Sequence, residues 1–420
     1  MASLGSKLRA EGYSLVKNTS DADIIIINTC SVTGHTESKT KRLIKSYIKN
    51  SSGAQILVTG CLAQQIPEEL IKTEGISWVV GNAYKKDIPG IIGSKKEGLY
   101  YSELTGEETP VAVFNNYPLT PDDEWRTRFP VKIQEGCDFR CSYCIVSALR
   151  GPSRSVSSSD IVNMCEKALE AGYREIVLTG THIGQYSEGE KYGLTDLMDD
   201  ILAIGEGFRL RLSSLDPRDC SDGLIQRIEK HGQICKHVHI NVQSFSPEVL
   251  DGMNRQYKEY DLLIKRLTLF RKKYPNAGIG GDFIVGFPGE TEAMFETTLE
   301  TVRQVGFNYG HVFRYSKRPG TAAASMDNQV SEKEKTERSN QLRECLREMR
   351  HAFIIRQLDT VTHTIIVEQE KPVRGITSNY IRVVVPRAHA ERNSWQNVIL
   401  KKYVPEKNCC EAVLGNKENQ

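Results

Sequence analysis

The sequence predicts an α/β protein in three parts. These are an amino-terminal parallel-sheet domain over residues 1–114, a partial (β/α)6 barrel over 124–357 and a small carboxyl-terminal β-barrel over 358–420. Three observations carry this expectation. Strand-like apolar runs alternate with helical patterns through the first two parts, an order that yields parallel strands with covering helices. A polar, proline-containing stretch, Asn115–Asp123, separates those two parts as a linker. From about Asp359 onward, alternating and β-branched runs broken by Gly, Pro and Asn replace the helical patterns.

In the first part the buried-strand runs are Asp23–Asn28, Gln55–Gly60 and Trp78–Gly81, with a helical stretch at Glu37–Lys49 and the end of a helix at Met1–Arg9. Cys30 follows the first run and Cys61 the second, where open parallel sheets place their ligands. The second part repeats strand and helix. Its strand candidates are Val131–Gln134, Glu175–Thr179, Arg209–Ser213, His237–Val242, Gly281–Val285 and His311–Tyr315. Helical patterns such as Asp160–Ala171, Tyr260–Lys273 and Ala293–Val305 lie between them, and Ser331–Arg356 closes the region as a long charged helix. Repeated units of this kind form a barrel or partial barrel with its chemistry at the carboxyl ends of the strands. The third part offers strands at Thr362–Glu368, Asn379–Val385 and Val398–Val404.

Composition narrows the class without naming a function. At 420 residues, 39% hydrophobic and 26% charged, the chain is an ordinary multidomain globular protein. Apolar runs such as Ile24–Ile27 are far shorter than a membrane span, and no secretory pattern opens the chain, so the cytoplasm is expected. The net charge of +2 neither proves nor excludes a nucleic-acid partner. The basic runs Lys39–Lys49, Lys265–Lys273 and Arg343–Arg356 read first as solvated helix faces. Eleven cysteines in such a chain point to metal binding or catalysis rather than to disulfides.

The strongest motif is Cys137-Asp-Phe-Arg-Cys141-Ser-Tyr-Cys144, which follows a predicted strand. Three thiolates this close can ligate three irons of one 4Fe–4S cubane and leave the fourth iron open to a chelating substrate. Zinc is the alternative, but a closed zinc site needs four ligands, and no second pair of suitable spacing lies nearby. Cys165 and Cys345 lie on helical patterns and read as packing residues, while Cys220, Cys235, Cys409 and Cys410 have no ligand-like spacing.

This loop, with an aromatic residue before its last cysteine, resembles the signature of the radical S-adenosylmethionine superfamily. Four later stretches resemble that superfamily's cofactor strands in order: Glu175–Tyr186, Arg211–Pro217, Gly281–Glu290 and His311–Thr321. Within it, the chain most resembles the methylthiotransferases. Asn28-Thr29-Cys30, Thr59-Gly60-Cys61, Arg150-Gly-Pro-Ser-Arg154 and Met253-Asn-Arg255 carry that likeness, and Arg374–Val385 resembles the RNA-binding TRAM β-barrel. The resemblance implies a 4Fe–4S cluster on Cys137, Cys141 and Cys144. It also implies S-adenosylmethionine held near Thr179, Gly180, Ser214, Asp216, Gln243, Arg255, Asp282 and Val285.

The implied chemistry is radical. Reductive cleavage of S-adenosylmethionine would give a 5′-deoxyadenosyl radical that takes hydrogen from C2 of an adenine, and a second cluster on Cys30 and Cys61 would deliver methylated sulfur. The segment Asn28–Arg42 looks most like the branch acting on threonylcarbamoyladenosine beside the anticodon in tRNA. The implied partners are the tRNA anticodon loop and an electron donor such as flavodoxin or ferredoxin, with no membrane. Lys39, Lys41, Arg42, Lys45 and the carboxyl-terminal module are candidate phosphate contacts. Methylthiolation of isopentenyladenosine or of a ribosomal protein, and a non-catalytic RNA-binding relative, are the competing readings.

Two departures from the family pattern carry expectations of their own. The family's amino-terminal cluster has three cysteines, whereas only Cys30 and Cys61 stand here; Ser6 lies too near Gly12-Tyr13 to mark the missing strand–turn unit. Two thiolates are expected to hold that cluster poorly. Phe245 replaces a usual glycine after Gln243, and its ring is expected to narrow the pocket or alter the turn.

Overall fold

The computed structural model describes residues 2–30, 34–51, 53–104 and 127–415. The linker expected at 115–123 lies outside them. Contacts divide the chain into two compact units. One joins the amino-terminal sheet to residues 134–156 and 316–325; the other holds the remaining barrel elements together with the carboxyl-terminal strands.

In the first unit, helix α1 (Ala2–Ala10) precedes strand β1 (Ile24–Thr29), helix α2 (Gly34–Asn50), strand β2 (Gln55–Gly60) and the short helix α3 (Cys61–Gln65). Strands β3 (Trp78–Val80) and β4 (Gly98–Tyr100) complete a parallel sheet of order β1-β2-β3-β4. The run of four isoleucines in β1 makes sense because both faces of the sheet are covered. Ile25 and Ile27 pack with Ile44, Ile56 and Val58 on one side. Ile24 and Ile26 pack with Leu4, Leu8, Leu57 and Trp78 on the other. Strand β4 is absent from the sequence reading because three residues led by a glycine carry no periodicity.

In the second unit, strands β5 (Arg128–Glu135), β6 (Glu175–Gly180) and β7 (Arg209–Leu212) lie side by side, and residues 134–135 at the end of β5 continue into the first unit. Ser214–Leu215 then leads a second sheet through β8 (His237–Gln243), β9 (Gly278–Val285) and β10 (Tyr309–Arg314), all parallel. The short step from Leu212 to Ser214, with a bridge between Leu210 and Ile234, joins the two sheets into a partial barrel of six strand units. All six lie where the sequence placed them. The long helix Glu332–Ile355, labelled α4, backs β9 and β10; Ser331 caps it by accepting from the Glu334 amide while the Glu334 carboxylate accepts from Ser331.

The last five strands are β11 (Thr362–Glu370), β12 (Val373–Thr377), β13 (Arg382–Val385), β14 (Trp395–Val404) and β15 (Cys409–Leu414). They form a closed barrel of order β11-β12-β13-β15-β14 around Ile365, Val373, Val383, Val398 and Cys410. Two of them escaped the sequence reading. Strand β12 is interrupted by Gly375, where a Cβ would come within 2.5 Å of the Ile366 carbonyl oxygen. Strand β15 opens on the two cysteines, and burial pushes the Cys410 thiol up to about 12, as an inert core residue. Strand β13 starts at Arg382 rather than Asn379, because Thr377 and Asn379 bond to each other in the preceding turn.

A buried charge cluster ties this barrel to β6 and β7. Glu175 accepts from Arg209 and Arg211 at 2.6 Å each. Arg209 donates onward to the carbonyls of Ile376 and Thr364, and Arg211 to those of Thr377 and Ser378. Burial pushes the Glu175 carboxyl up, but the two guanidiniums outweigh it and hold the group below its ordinary value.

Candidate radical and cofactor site

The cysteine loop is anchored at its start by bonds to Gln134, Gly151 and Ser153 and closes on itself in a turn at its end. Gly136 leaves β5 at φ +85°, and a Cβ there would lie 1.8 Å from the Pro152 carbonyl oxygen. Cys137 N donates to Gly151 O at 3.1 Å, Gln134 Nε2 to Gly136 O at 2.8 Å, and Ser153 N to Asp138 Oδ1 at 2.8 Å. Further along, Cys144 N closes a turn onto Cys141 O at 3.0 Å, and Val146 N points at Cys144 Sγ at 3.4 Å. Cys137, Cys141 and Cys144 are half-buried thiols outside any disulfide. A soft three-sulfur donor set on a pinned, partly open loop fits a cubane with one open iron. Replacing Gly136 with alanine is expected to drive the loop off Pro152. The iron retained after anaerobic reconstitution should then fall well below the wild-type value, with the circular dichroism spectrum unchanged.

The amino-terminal thiols lie where the sequence put them, at the carboxyl ends of neighbouring strands. Register pairs Thr29 with Gly60, so Cys30 and Cys61 leave β1 and β2 at the same level. Gly60 at φ +99° allows the close approach, since a Cβ would meet Thr29 O at 2.4 Å. Cys30 is exposed and Cys61 is buried against Ile145 and Leu149. Arg150 donates to Cys61 Sγ at 3.4 Å and to Glu135 at 2.7 Å. That bridge gives the Arg-Gly-Pro-Ser-Arg motif a physical role the sequence alone did not reveal.

The basic runs are mostly surface faces, but Arg350 in the third is buried and donates to Tyr380 O at 2.9 Å. Lys41 is tied to Glu37 and Glu69, while Lys39, Arg42 and Lys45 are exposed. In the second run Lys265 pairs with Asp261, Arg266 with Asp222 and Lys273 with Glu229.

The cofactor residues expected in the second unit lie at or near the strand ends. Thr179 Oγ1 donates to Val131 O at 3.1 Å, next to the exposed Gly180. Ser214 is half-buried. Asp216 and Arg255 form a buried ion pair at 2.5 Å, and Arg255 also donates to Asn241 O and Tyr260 Oη. Burial raises the Asp216 carboxyl, but Arg255 and Arg218 hold it below the usual range. Gln243 ends β8 at φ +68°, beyond a register shift. The Phe245 ring turns into the core, edge-on to Tyr260 and Phe307, just after the left-handed backbone at Gln243. Val285 is buried at the end of β9, and its carbonyl accepts from Tyr315 N at 2.9 Å. Asp282 lies three residues back, bonded to His239 and His311. Burial pushes its carboxyl up, but those two bonds bring it down to about 2.

Comparison with known proteins assigns the chain. The Radical SAM superfamily model matches residues 131–302, and the model described as Uncharacterized protein family UPF0004 matches residues 1–81. The threonylcarbamoyladenosine tRNA methylthiotransferase MtaB of Bacillus subtilis (strain 168) is 34% identical over 381 residues, 89% of this chain and 84% of its own length. The chain belongs to the radical S-adenosylmethionine methylthiotransferase family. A second relative of the methylthiotransferase, MtaB of Thermotoga maritima, is 36% identical over 81% of this chain and 77% of its own. The tRNA-2-methylthio-N(6)-dimethylallyladenosine synthase of Geobacter metallireducens is 35% identical over 84% and 81%. Among solved structures, the radical S-adenosylmethionine methyltransferase TsrM from Kitasatospora setae shares the fold, with TM-score 0.54 and 14% identity over 72% of this chain and 65% of its own. No helix among the described residues is long and apolar enough to cross a membrane.

Proposed function

We propose that this methylthiotransferase adds a methylthio group to C2 of threonylcarbamoyladenosine beside the anticodon of tRNA, in the cytoplasm. The observation that carries the reading is an intact, pinned Cys137–Cys144 loop in a chain that aligns along 89% of its length with a threonylcarbamoyladenosine enzyme. Cys137, Cys141 and Cys144 would hold the 4Fe–4S cluster. Thr179, Gly180, Ser214, Gln243 and Val285 would line the S-adenosylmethionine site, with Asp282 deeper on the same strands. The cluster and S-adenosylmethionine together supply an electron and a radical able to take hydrogen from an unactivated ring carbon.

The chain's own residues bind, orient and exclude water. Asp216 and Arg255 neutralise one another and act as positioning residues that lock the strand ends together. Cys30 and Cys61 would supply two thiolates toward a second cluster, which two alone would hold poorly, and Arg150 donates to Cys61 Sγ. The electron donor would be flavodoxin or ferredoxin. An unpaired anticodon-loop base suits such a site because it can be unstacked into a pocket. The carboxyl-terminal barrel, with Lys39, Arg42 and Lys45, would contact the tRNA backbone.

The 35% identity to a dimethylallyladenosine synthase lies between the 34% and 36% to the two MtaB enzymes, so isopentenyladenosine is the second reading. Reconstituted protein, reductant and S-adenosylmethionine would be incubated with two anticodon stem-loops, one carrying threonylcarbamoyladenosine and one isopentenyladenosine. Methylthiolation of the first alone is expected. Methylthiolation of the second alone, or of neither, contradicts the proposal.

A further inference from the structure

Three adjacent parallel strands bring two imidazoles onto one carboxylate. His239 stands on β8, Asp282 on β9 and His311 on β10, and register pairs Asp282 with His311. A Cβ on Gly310 would meet Leu346 of α4, so the intervening residues face that helix. By strand alternation Asp282 and His311 share the opposite face. His239 Nε2 lies 3.0 Å from Asp282 Oδ1, and His311 Nδ1 lies 2.9 Å from the same oxygen. Among the described residues this is the one trio of His, Cys, Asp or Glu whose donor atoms all fall within 4.8 Å of each other.

The distances suit a shared ion. Two ligand atoms each about 2.1 Å from one metal, at right angles, stand about 3.0 Å apart. The far side of His239 is oriented too: Nδ1 lies 3.1 Å from Tyr309 Oη, which also bonds to His237. Metal-binding histidines are generally fixed in this way through their second nitrogen. Solvent access is graded across the trio, with side-chain exposures of 10% for His239, 20% for Asp282 and 65% for His311. One side of the trio therefore stays open for water or another ligand.

We propose that His239, Asp282 and His311 form a binding site for one divalent first-row transition-metal ion, separate from the cysteine clusters. Two imidazoles and a carboxylate, with positions left open, form a donor set that takes such ions without thiolate help. Their placement on rigid strands keeps the donors together in advance of binding. The site does not depend on which nucleoside the enzyme modifies.

The test uses the cluster-reconstituted protein and Mn2+ as the probe, because the thiols that ligate no cluster would compete for softer ions. Loss of the free-Mn2+ electron paramagnetic resonance signal reports binding. Wild type is expected to bind one Mn2+ that also raises its thermal midpoint. His311→Ala, which alters an exposed side chain, and Asp282→Asn are each expected to weaken binding by about tenfold or more. Failure of the wild type to bind Mn2+, or equal binding by wild type and His311→Ala, overturns the proposal.

Discussion

Replacing Cys144 with alanine is expected to reduce anaerobic 5′-deoxyadenosine production to background, with the circular dichroism spectrum unchanged. Changes to residues merely supporting a metal ligand typically cost 10–100-fold in affinity or activity. Loss of one of the cluster's three ligands should cost more than that. The expectation rests on the loop rather than on the barrel, because the loop's backbone is held independently through Gly136, Cys137 and Ser153. Iron content should fall in the same variant by about four per chain if the second cluster persists. Deoxyadenosine formation at the wild-type rate would remove Cys144 from the cluster.

Replacing Glu175 with alanine is expected to destabilise the second unit by about 3–5 kcal/mol, the usual consequence of leaving a buried charge uncompensated. Here two guanidiniums lose their shared partner while remaining about 95% and 98% buried. Both arginines hold carbonyls of β11, β12 or the turn after β12, so limited proteolysis should release the carboxyl-terminal barrel earlier than in wild type. The pH dependence has a definite sign. Glu175 has a lowered folded value, so its contribution is fully present above the unfolded value and is lost as pH falls through the folded one. Acid should therefore loosen the barrel in wild type, and the variant should lose much of that sensitivity. Denaturant titration at neutral and acidic pH measures both effects; identical midpoints for the two proteins would contradict the role given to Glu175.

The strands were legible in the sequence wherever apolar runs were long enough to impose a period. Ile24–Thr29, Gln55–Gly60 and the six barrel strands are of that kind. Gly98–Tyr100 and Val373–Thr377 were not, because a short strand containing glycine is specified by its neighbours rather than by its own pattern. The cysteine loop was legible because three thiols within eight residues have few purely structural uses. The clamp on Glu175 was hidden, since its two arginines and its target carbonyls lie far apart in sequence and read as ordinary charged strand residues. The Arg150–Cys61 contact was hidden for the same reason, although the Arg-Gly-Pro-Ser-Arg motif marked the position. For Phe245 the sequence left a narrowed pocket and an altered turn both open, because residue size alone does not say which way a ring points; it enters the core just after a left-handed Gln243.

The most direct test expresses this chain in a bacterial strain lacking its own tRNA methylthiotransferases and examines digested tRNA by mass spectrometry. The 2-methylthio derivative of threonylcarbamoyladenosine, absent from the Cys144→Ala control, is the predicted result. A methylthio derivative of isopentenyladenosine alone, or tRNA with no methylthiolated nucleoside, would contradict it.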